Sequence, residues 1–317
     1  MPRIWQVWQF FETAFPLTVS PQETIGGVGN GSGAYAQARI QRMIRPTALI
    51  TLSTFLVCGA ASLAQTPAPP VTLSDTEQRT IKSSKIGRSY DLFISLPENY
   101  YTSKQSYPVL YVLDGWHFPL MAFLQDNNIY SERMPPVIIV NIGQSPAKDA
   151  MTLRARDFTP TAMAKMPGSG GGPAFLDFLE HELIPFIDHT YRTNPSDRGL
   201  LGHSLGGEFA LYALEQRPGL FQRIVAVSPA MPQDSVIFTD ARRTLSSLPA
   251  SIRIDLSVGS DDELGFAKST TAFAQLLDEL KPKGLDYRFT LYAGENHNSV
   301  RLVAFPTGLY WVYRPTK

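Results

Sequence analysis

Apolar runs separated by turn signals divide the chain beyond residue 70 into alternating strand-like and helix-like segments. Tyr90–Leu96 reads as an early strand, closed by Pro97-Glu98-Asn99-Tyr100. Val109–Leu113 and Val137–Ile142 are continuous apolar runs, as expected of strands buried on both faces. Ala174–Tyr191 has a helical stripe of Phe175, Leu176, Phe178, Leu179, Leu183 and Ile184, with Pro185 marking a kink or a restart. Arg198–Leu201 ends a short buried strand, and Glu208–Leu214 follows as a helix without a breaker. Arg223–Ser228, Ile252–Val258 and Tyr287–Tyr292 give three further strands. Helices are expected at Thr270–Leu280 and Phe305–Tyr313. This alternation predicts a mostly parallel sheet with helices on both faces, in a single α/β domain.

The first 64 residues break the pattern. From Met43 to Ala64 the order is Arg45, an apolar core Ala48–Val57, then Ser62-Leu63-Ala64 before Gln65. That is the three-part layout of a secretory signal peptide. Its core is too short and too rich in Ser and Thr for a membrane span. Residues 1–42 are Gly/Gln/Ser-rich and read as an over-extended start, leaving 65–317 as the mature domain, periplasmic or secreted. The competing reading is an uncleaved signal anchor behind a real N-terminal tail. Cys58, the only cysteine, lies inside the apolar core with Val57 before it, which argues against lipidation. A chain cleaved after Ala64 has no disulfide and no thiol chemistry.

Charge adds a negative result. The chain holds 28 basic and 28 acidic residues. Arg3, Arg39, Arg42 and Arg45 against Glu12 and Glu23 fall before residue 65, so the remainder is close to −2. Without a clustered basic excess, a nucleic-acid partner is not expected. No His/Asp/Glu spacing resembles a metal site, and no cofactor is called for.

Chemistry enters at Gly202-His203-Ser204-Leu205-Gly206-Gly207, a G-x-S-x-G sequence between the end of a strand and the start of a helix. A serine in so tight a turn is held on a strained backbone with its hydroxyl raised above a helix start, the nucleophile elbow of α/β-hydrolases. A serine hydroxyl needs an adjacent base, and the base an orienting carboxylate, in the chain order Ser, acid, His. His297, in Gly294-Glu295-Asn296-His297-Asn298, is the one histidine beyond Ser204. The strand ending at Val258-Gly259 delivers Asp261, Asp262 and Glu263 into the loop where the acid is expected, and residue types alone do not choose among them.

The oxyanion of a tetrahedral intermediate needs backbone donors. Leu205 N–H is one, and Trp116 N–H, in the turn Asp114-Gly115-Trp116-His117, is the expected second. His117 is a candidate pocket residue. His203 reads as packing within the elbow, and His181 and His189 as surface positions. Met151, Met163 and Met166, before Gly168–Gly172, form either an adaptable lid or a surface loop.

Together these residues resemble the esterase family of α/β-hydrolases that includes siderophore trilactone esterases, feruloyl esterases and mycolyltransferases. The likeness runs from about Tyr90 to the C-terminus. It rests on Tyr107–Gly115, Arg154-Ala155-Arg156-Asp157-Phe158-Thr159-Pro160, Gly202–Gly207, Ser228-Pro229 and Gly294–His297, and is nearest the periplasmic siderophore-esterase branch. The resemblance implies Ser204 as nucleophile, His297 as base and the Trp116 and Leu205 amides as oxyanion hole. It favours Asp262 as the acid, then Glu263, then Asp261, because a carboxylate about three residues past a glycine such as Gly259 is the commoner choice in α/β-hydrolases. Family members differ between the positions matching Asp262 and Glu263. It makes Arg154 and Arg156 candidate contacts for a polar or anionic substrate, against structural pairing with Asp157 or nearby carbonyls. Glu208 departs from the apolar residue expected after the double glycine.

The expected function is a serine carboxylesterase that cleaves a small-molecule ester or lactone, such as a siderophore trilactone, through an acyl-enzyme. Acyl transfer to an alcohol and hydrolysis of feruloyl or acetyl groups on polysaccharide use the same triad and remain open. A non-catalytic binding module on this fold is the remaining alternative. No stable membrane insertion is expected after signal cleavage.

Overall fold

The computed structural model describes residues 72–145, 147–232, 235–245, 248 and 251–315; the expected signal segment and everything before it lie outside these. Eight strands form one sheet: β1 (Thr76–Lys82), β2 (Ser89–Ser95), β3 (Tyr107–Leu113), β4 (Ile138–Gln144), β5 (Thr193–His203), β6 (Arg223–Val227), β7 (Ile252–Gly259) and β8 (Leu285–Tyr292). Their order across the sheet is β1-β2-β4-β3-β5-β6-β7-β8. β2 pairs antiparallel with β1 and β4, and every other pairing is parallel. The helices are α1 (Phe118–Ser131), α2 (Ala150–Phe158), α3 (Gly172–Phe178), α4 (Ile184–Thr190), α5 (Leu205–Gln216), α6 (Val236–Thr244), α7 (Phe266–Leu280) and α8 (Val300–Val312). This is the α/β-hydrolase fold expected from the alternating pattern.

The continuous apolar runs have the predicted cause. In β3, Val109, Tyr111 and Leu113 join the larger core under α2–α7, while Leu110 and Val112 face the smaller core with α1 and α8. Each fully buried aliphatic or aromatic side chain contributes roughly 1.5–3 kcal/mol by leaving water. Such a central strand is a rigid rail on which loops at its C-terminal end can be placed. Pro185 does not break the helix: the backbone stays helical from Gly172 to Thr190 and passes through a π-helical turn (Leu179–Leu183) just before the proline. The closing helix starts at Val300, earlier than its apolar density suggests, and accommodates Pro306.

β1, α1, α2 and α6 have no counterpart in the hydrophobic pattern. β1 reads Thr-Glu-Gln-Arg-Thr-Ile-Lys and is an edge strand with both faces half-exposed, so no alternation is imposed on it. α2 buries Arg154 and Asp157 along with Ala155 and Phe158, so its inward face is partly charged. Among the described residues no helix is long and apolar enough to cross a membrane.

Candidate active site

β5 enters the elbow at Gly202, and α5 leaves it at Leu205. A Cβ on residue 202 would lie 2.0 Å from the carbonyl oxygen of Gly206, so only glycine lets the helix start fold back so closely. Ser204 has φ 60° and ψ −123°, a conformation that costs a non-glycine residue on the order of 1–3 kcal/mol. It is held there by its own N–H donating to Val227 O and by its carbonyl accepting from the amides of Glu208 and Ala230, each at 3.0 Å. Ser204 is 2% exposed, and its Oγ has no hydrogen-bond partner among the described residues.

The loop after β7 settles the geometry of the three carboxylates. Asp262 Oδ2 lies 2.9 Å from His297 Nδ1, while Oδ1 accepts from Leu264 N–H at 3.0 Å. Glu263 Oε2 accepts instead from the backbone N–H of His297 at 3.3 Å. Asp261 is exposed and accepts from the neighbouring Ser260 hydroxyl. Gly259 permits this arrangement, since a Cβ there would stand 2.0 Å from Glu295 O, in the loop that carries the histidine. The His297 ring packs between those of His203, at 4.5 Å between centroids, and Phe266, at 5.4 Å. His203 Nε2 donates to His297 O at 2.8 Å, and burial pushes its imidazole far toward the neutral form. The elbow histidine therefore fixes the backbone of the loop that carries His297.

Ser204 and His297 line one cavity of about 190 Å³ with Trp116, Met151, Arg154 and Glu263 among the other walls. Leu205 N–H and Trp116 N–H both belong to first turns, of α5 and of the short turn Gly115–His117, where amides have no acceptor within the helix. The turn is braced from below. Arg154 Nε and Nη2 donate to the two oxygens of Asp114, each at 2.8 Å, and Nη2 also reaches His203 O at 3.3 Å. Asp114 itself has φ 68° and is wholly buried. One guanidinium thus ties the turn after β3 to the end of β5.

Several expectations need correction. Arg154 touches the cavity, but its charge is engaged by Asp114, a carboxylate not foreseen, and by the nearby carbonyl of His203, while Asp157 is not its partner. Arg156 is not among the cavity walls and sits 3.7 Å from Asp157, the structural alternative. His117 is 5% exposed and lies behind the cavity, edge-on to Phe305; burial lowers its pKa to about 4, so it is neutral there. The three methionines do not form a lid, since Met151 reaches the cavity while Met166 is buried in the core with Met163 packed against it. Sequence reading passed over Asp114 as the partner of Arg154. It also passed over Arg301, which lines the cavity four residues after His297; that spacing at a helix start was the available signal. Asp177, Glu180 and His181 cluster closely enough for a metal, but Arg217 pairs with both carboxylates at 3.0 and 2.7 Å.

Residues 83–300 match the family described as "Putative esterase". The chain belongs to this esterase family. It is therefore an enzyme acting on ester bonds. This esterase is 29% identical over 265 residues to the ferri-bacillibactin esterase BesA of Bacillus subtilis, covering 77% of this chain and 91% of that one. It is 33% identical over 135 residues to the apo-salmochelin esterase of Escherichia coli O6:H1, covering 39% and 42% of the two chains. Among solved structures, the BES protein of Bacillus cereus superposes with a TM-score of 0.72 at 27% identity, over 79% of this chain and 99% of that one.

Glu208, the departure from apolar character, is 5% exposed beneath the elbow and accepts from Ser235 Oγ at 3.2 Å. Burial raises its pKa from 4.5 to about 8. Between those values the folded chain keeps a proton that the unfolded chain has released, so stability falls as pH rises through that window. Glu208→Gln preserves the acceptor for Ser235 and removes the titration. The variant should melt at least about 5 °C above the parent at pH 9 and level with it near pH 5. Scanning calorimetry at the two pH values checks this, and a difference independent of pH would refute it. Glu215, buried on the same helix and shifted the same way chiefly by burial, is present in both proteins, with Glu208 only the last of the influences that raise it.

Proposed function

We propose that this esterase opens ester or lactone bonds of a siderophore through an acyl-enzyme formed on Ser204. The observation that carries the reading is the single cavity in which the elbow serine and an Asp262-held His297 meet. His297 Nε2 takes the Ser204 proton as Oγ bonds to the acyl carbon. The negative charge that develops on the carbonyl oxygen falls to the Leu205 and Trp116 amides, each such donor being typically worth about 10²–10³ in turnover. Collapse of the intermediate breaks the bond to the leaving oxygen, which receives the proton from His297. Water, deprotonated by the same imidazole, then releases the acid and restores Ser204. Asp262 keeps the proton on Nδ1 so that Nε2 carries the lone pair that acts as base. Arg154 braces the turn that presents Trp116. The Ser204–His297 hydrogen bond belongs to the substrate complex, because such contacts are often long in unliganded sites.

Support for a siderophore substrate comes from the relatives, of which two act on bacillibactin and salmochelin by name. The test is chromatography of a cyclic trilactone siderophore, iron-free and ferric, after incubation with the enzyme beside simple acyl esters. Ring opening that disappears in Ser204→Ala is expected. Turnover of short acyl esters with the trilactone untouched would overturn the siderophore assignment, and no turnover of either would overturn the acyl-enzyme reading.

We also infer export to the periplasm or beyond, on the strength of the three-part pattern from Met43 to Ala64. N-terminal sequencing of protein from its host should begin near Gln65, and a cytoplasmic species beginning at Met1 would contradict it.

A further inference from the structure

Among the described residues, Arg301 is the cavity arginine without a carboxylate partner. It lines the same cavity as Ser204 and His297, from the first turn of α8. Arg301 Nε donates to Asn298 O at 2.9 Å and Nη2 to Asn298 Oδ1 at 3.3 Å. A guanidinium has five N–H donors in a rigid fork, so most of this one is uncommitted. No carboxylate among the described residues lies within ion-pair distance of it, whereas Arg154 in the same cavity is engaged by both oxygens of Asp114.

Local structure gives no reason for a cation here. The first turn of a helix is the positive end of its dipole and disfavours Arg. Burial already weighs against the charged form of Arg301, and Arg154 repels it; attraction to Asp114 is the one compensating influence. Arg301 and Arg154 thus share the field of one buried carboxylate, Asp114, both of whose oxygens are taken by Arg154. Arg301 therefore brings its charge to the cavity without an ion-pair partner among the described residues. Glu263, a carboxylate that does line the cavity, accepts from the His297 backbone N–H and makes no ion pair with Arg301. Keeping a partly dehydrated guanidinium without a counterion costs stability unless a ligand supplies the anion. The exposed Trp116 ring, 46% accessible, adds an apolar platform to the same cavity.

We propose that Arg301 is a specificity-determining residue that binds an anionic oxygen group carried by the substrate away from the scissile ester. The inference rests on the ester-hydrolase reading of the Ser204 cavity and narrows its substrates to acidic esters. The anion can sit on the acyl side or on the leaving group, and both place a charged oxygen on the same wall.

Matched substrate pairs test it in two arms. One arm pairs para-nitrophenyl monoesters of dicarboxylic acids with monocarboxylic esters of equal length. The other pairs carboxyphenyl with methoxycarbonylphenyl esters, which moves the anion to the leaving group. The readout is the ratio of kcat/KM for the anionic over the neutral member, which cancels general damage to the site. In Arg301→Gln that ratio should fall at least tenfold in one arm, mainly through KM, with partial recovery in Arg301→Lys, which restores charge without the fork. In the parent enzyme the same ratio should decline as salt is raised, because the pair is partly solvent-screened.

A ratio in Arg301→Gln within twofold of the parent in both arms would overturn the proposal. If that variant does not fold, the parent's salt series decides: a declining ratio supports the anion subsite and a flat one overturns it. Failure of the underlying reading looks different, since hydrolysis that survives Ser204→Ala affects both members of every pair.

Discussion

Ser204→Ala lowers kcat on an activated ester by roughly 10⁵–10⁶-fold, the loss typical of removing the nucleophile from a working triad. The hydroxyl has no structural duty to set against this. Its oxygen makes no hydrogen bond among the described residues, and the bonds that hold the elbow come from the Ser204 backbone. Alanine keeps the Cβ and those backbone bonds, so the variant should fold and melt within a few degrees of the parent. The residual rate comes from the oxyanion donors and from binding, which are left in place. Steady-state kinetics beside a thermal melt separate the two effects. A loss below about tenfold, or only about 1.4 kcal/mol of barrier, would mean that Ser204 is not the nucleophile.

Asp262→Asn costs about 10⁴ in kcat, and Glu263→Gln less than about tenfold. The difference follows from which atom of His297 each carboxylate meets. Asp262 faces Nδ1 at 2.9 Å with its side chain fully buried, so it fixes the tautomer and stabilises the imidazolium that forms as Oγ attacks. An amide in its place can present N–H to Nδ1 and hold the ring with its proton on the wrong nitrogen. Glu263 meets only the backbone N–H of His297, and glutamine keeps an acceptor for that bond. Kinetics of both variants on one ester decide. Greater damage in Glu263→Gln would move the acid one residue along, and small losses in both would leave a Ser-His dyad.

The contrast between these carboxylates also marks where sequence reading reached its limit. The elbow and His297 were legible because each depends on local features: a glycine that alone fits at 202, a strand before, a helix after, and one histidine beyond the serine. The β3 and β4 runs were legible because burial on both faces leaves no polar position. Residue types alone did not give the acid, since three adjacent carboxylates differ only in how the loop turns at Gly259 against Glu295; the resemblance favoured Asp262, the one that meets His297 Nδ1. α2 was missed because its inward face carries charge, and hydrophobic periodicity cannot register an Arg154 satisfied by Asp114 forty residues away. The same blindness left Arg154 and Arg156 open between substrate contact and structural pairing, and left Arg301 unremarked. Long-range ion pairing decides which arginine has charge to spare, and only the folded chain shows it.

The most direct test of the account is reaction with a serine-directed fluorophosphonate, followed by intact mass and peptide mapping. The reagent mimics the tetrahedral intermediate and needs both an activated serine and a functioning oxyanion hole. The account predicts one adduct per chain, on Ser204, formed slowly in Asp262→Asn and absent from Ser204→Ala. Labelling that persists undiminished in Ser204→Ala, or that maps to another residue in the parent, would contradict it.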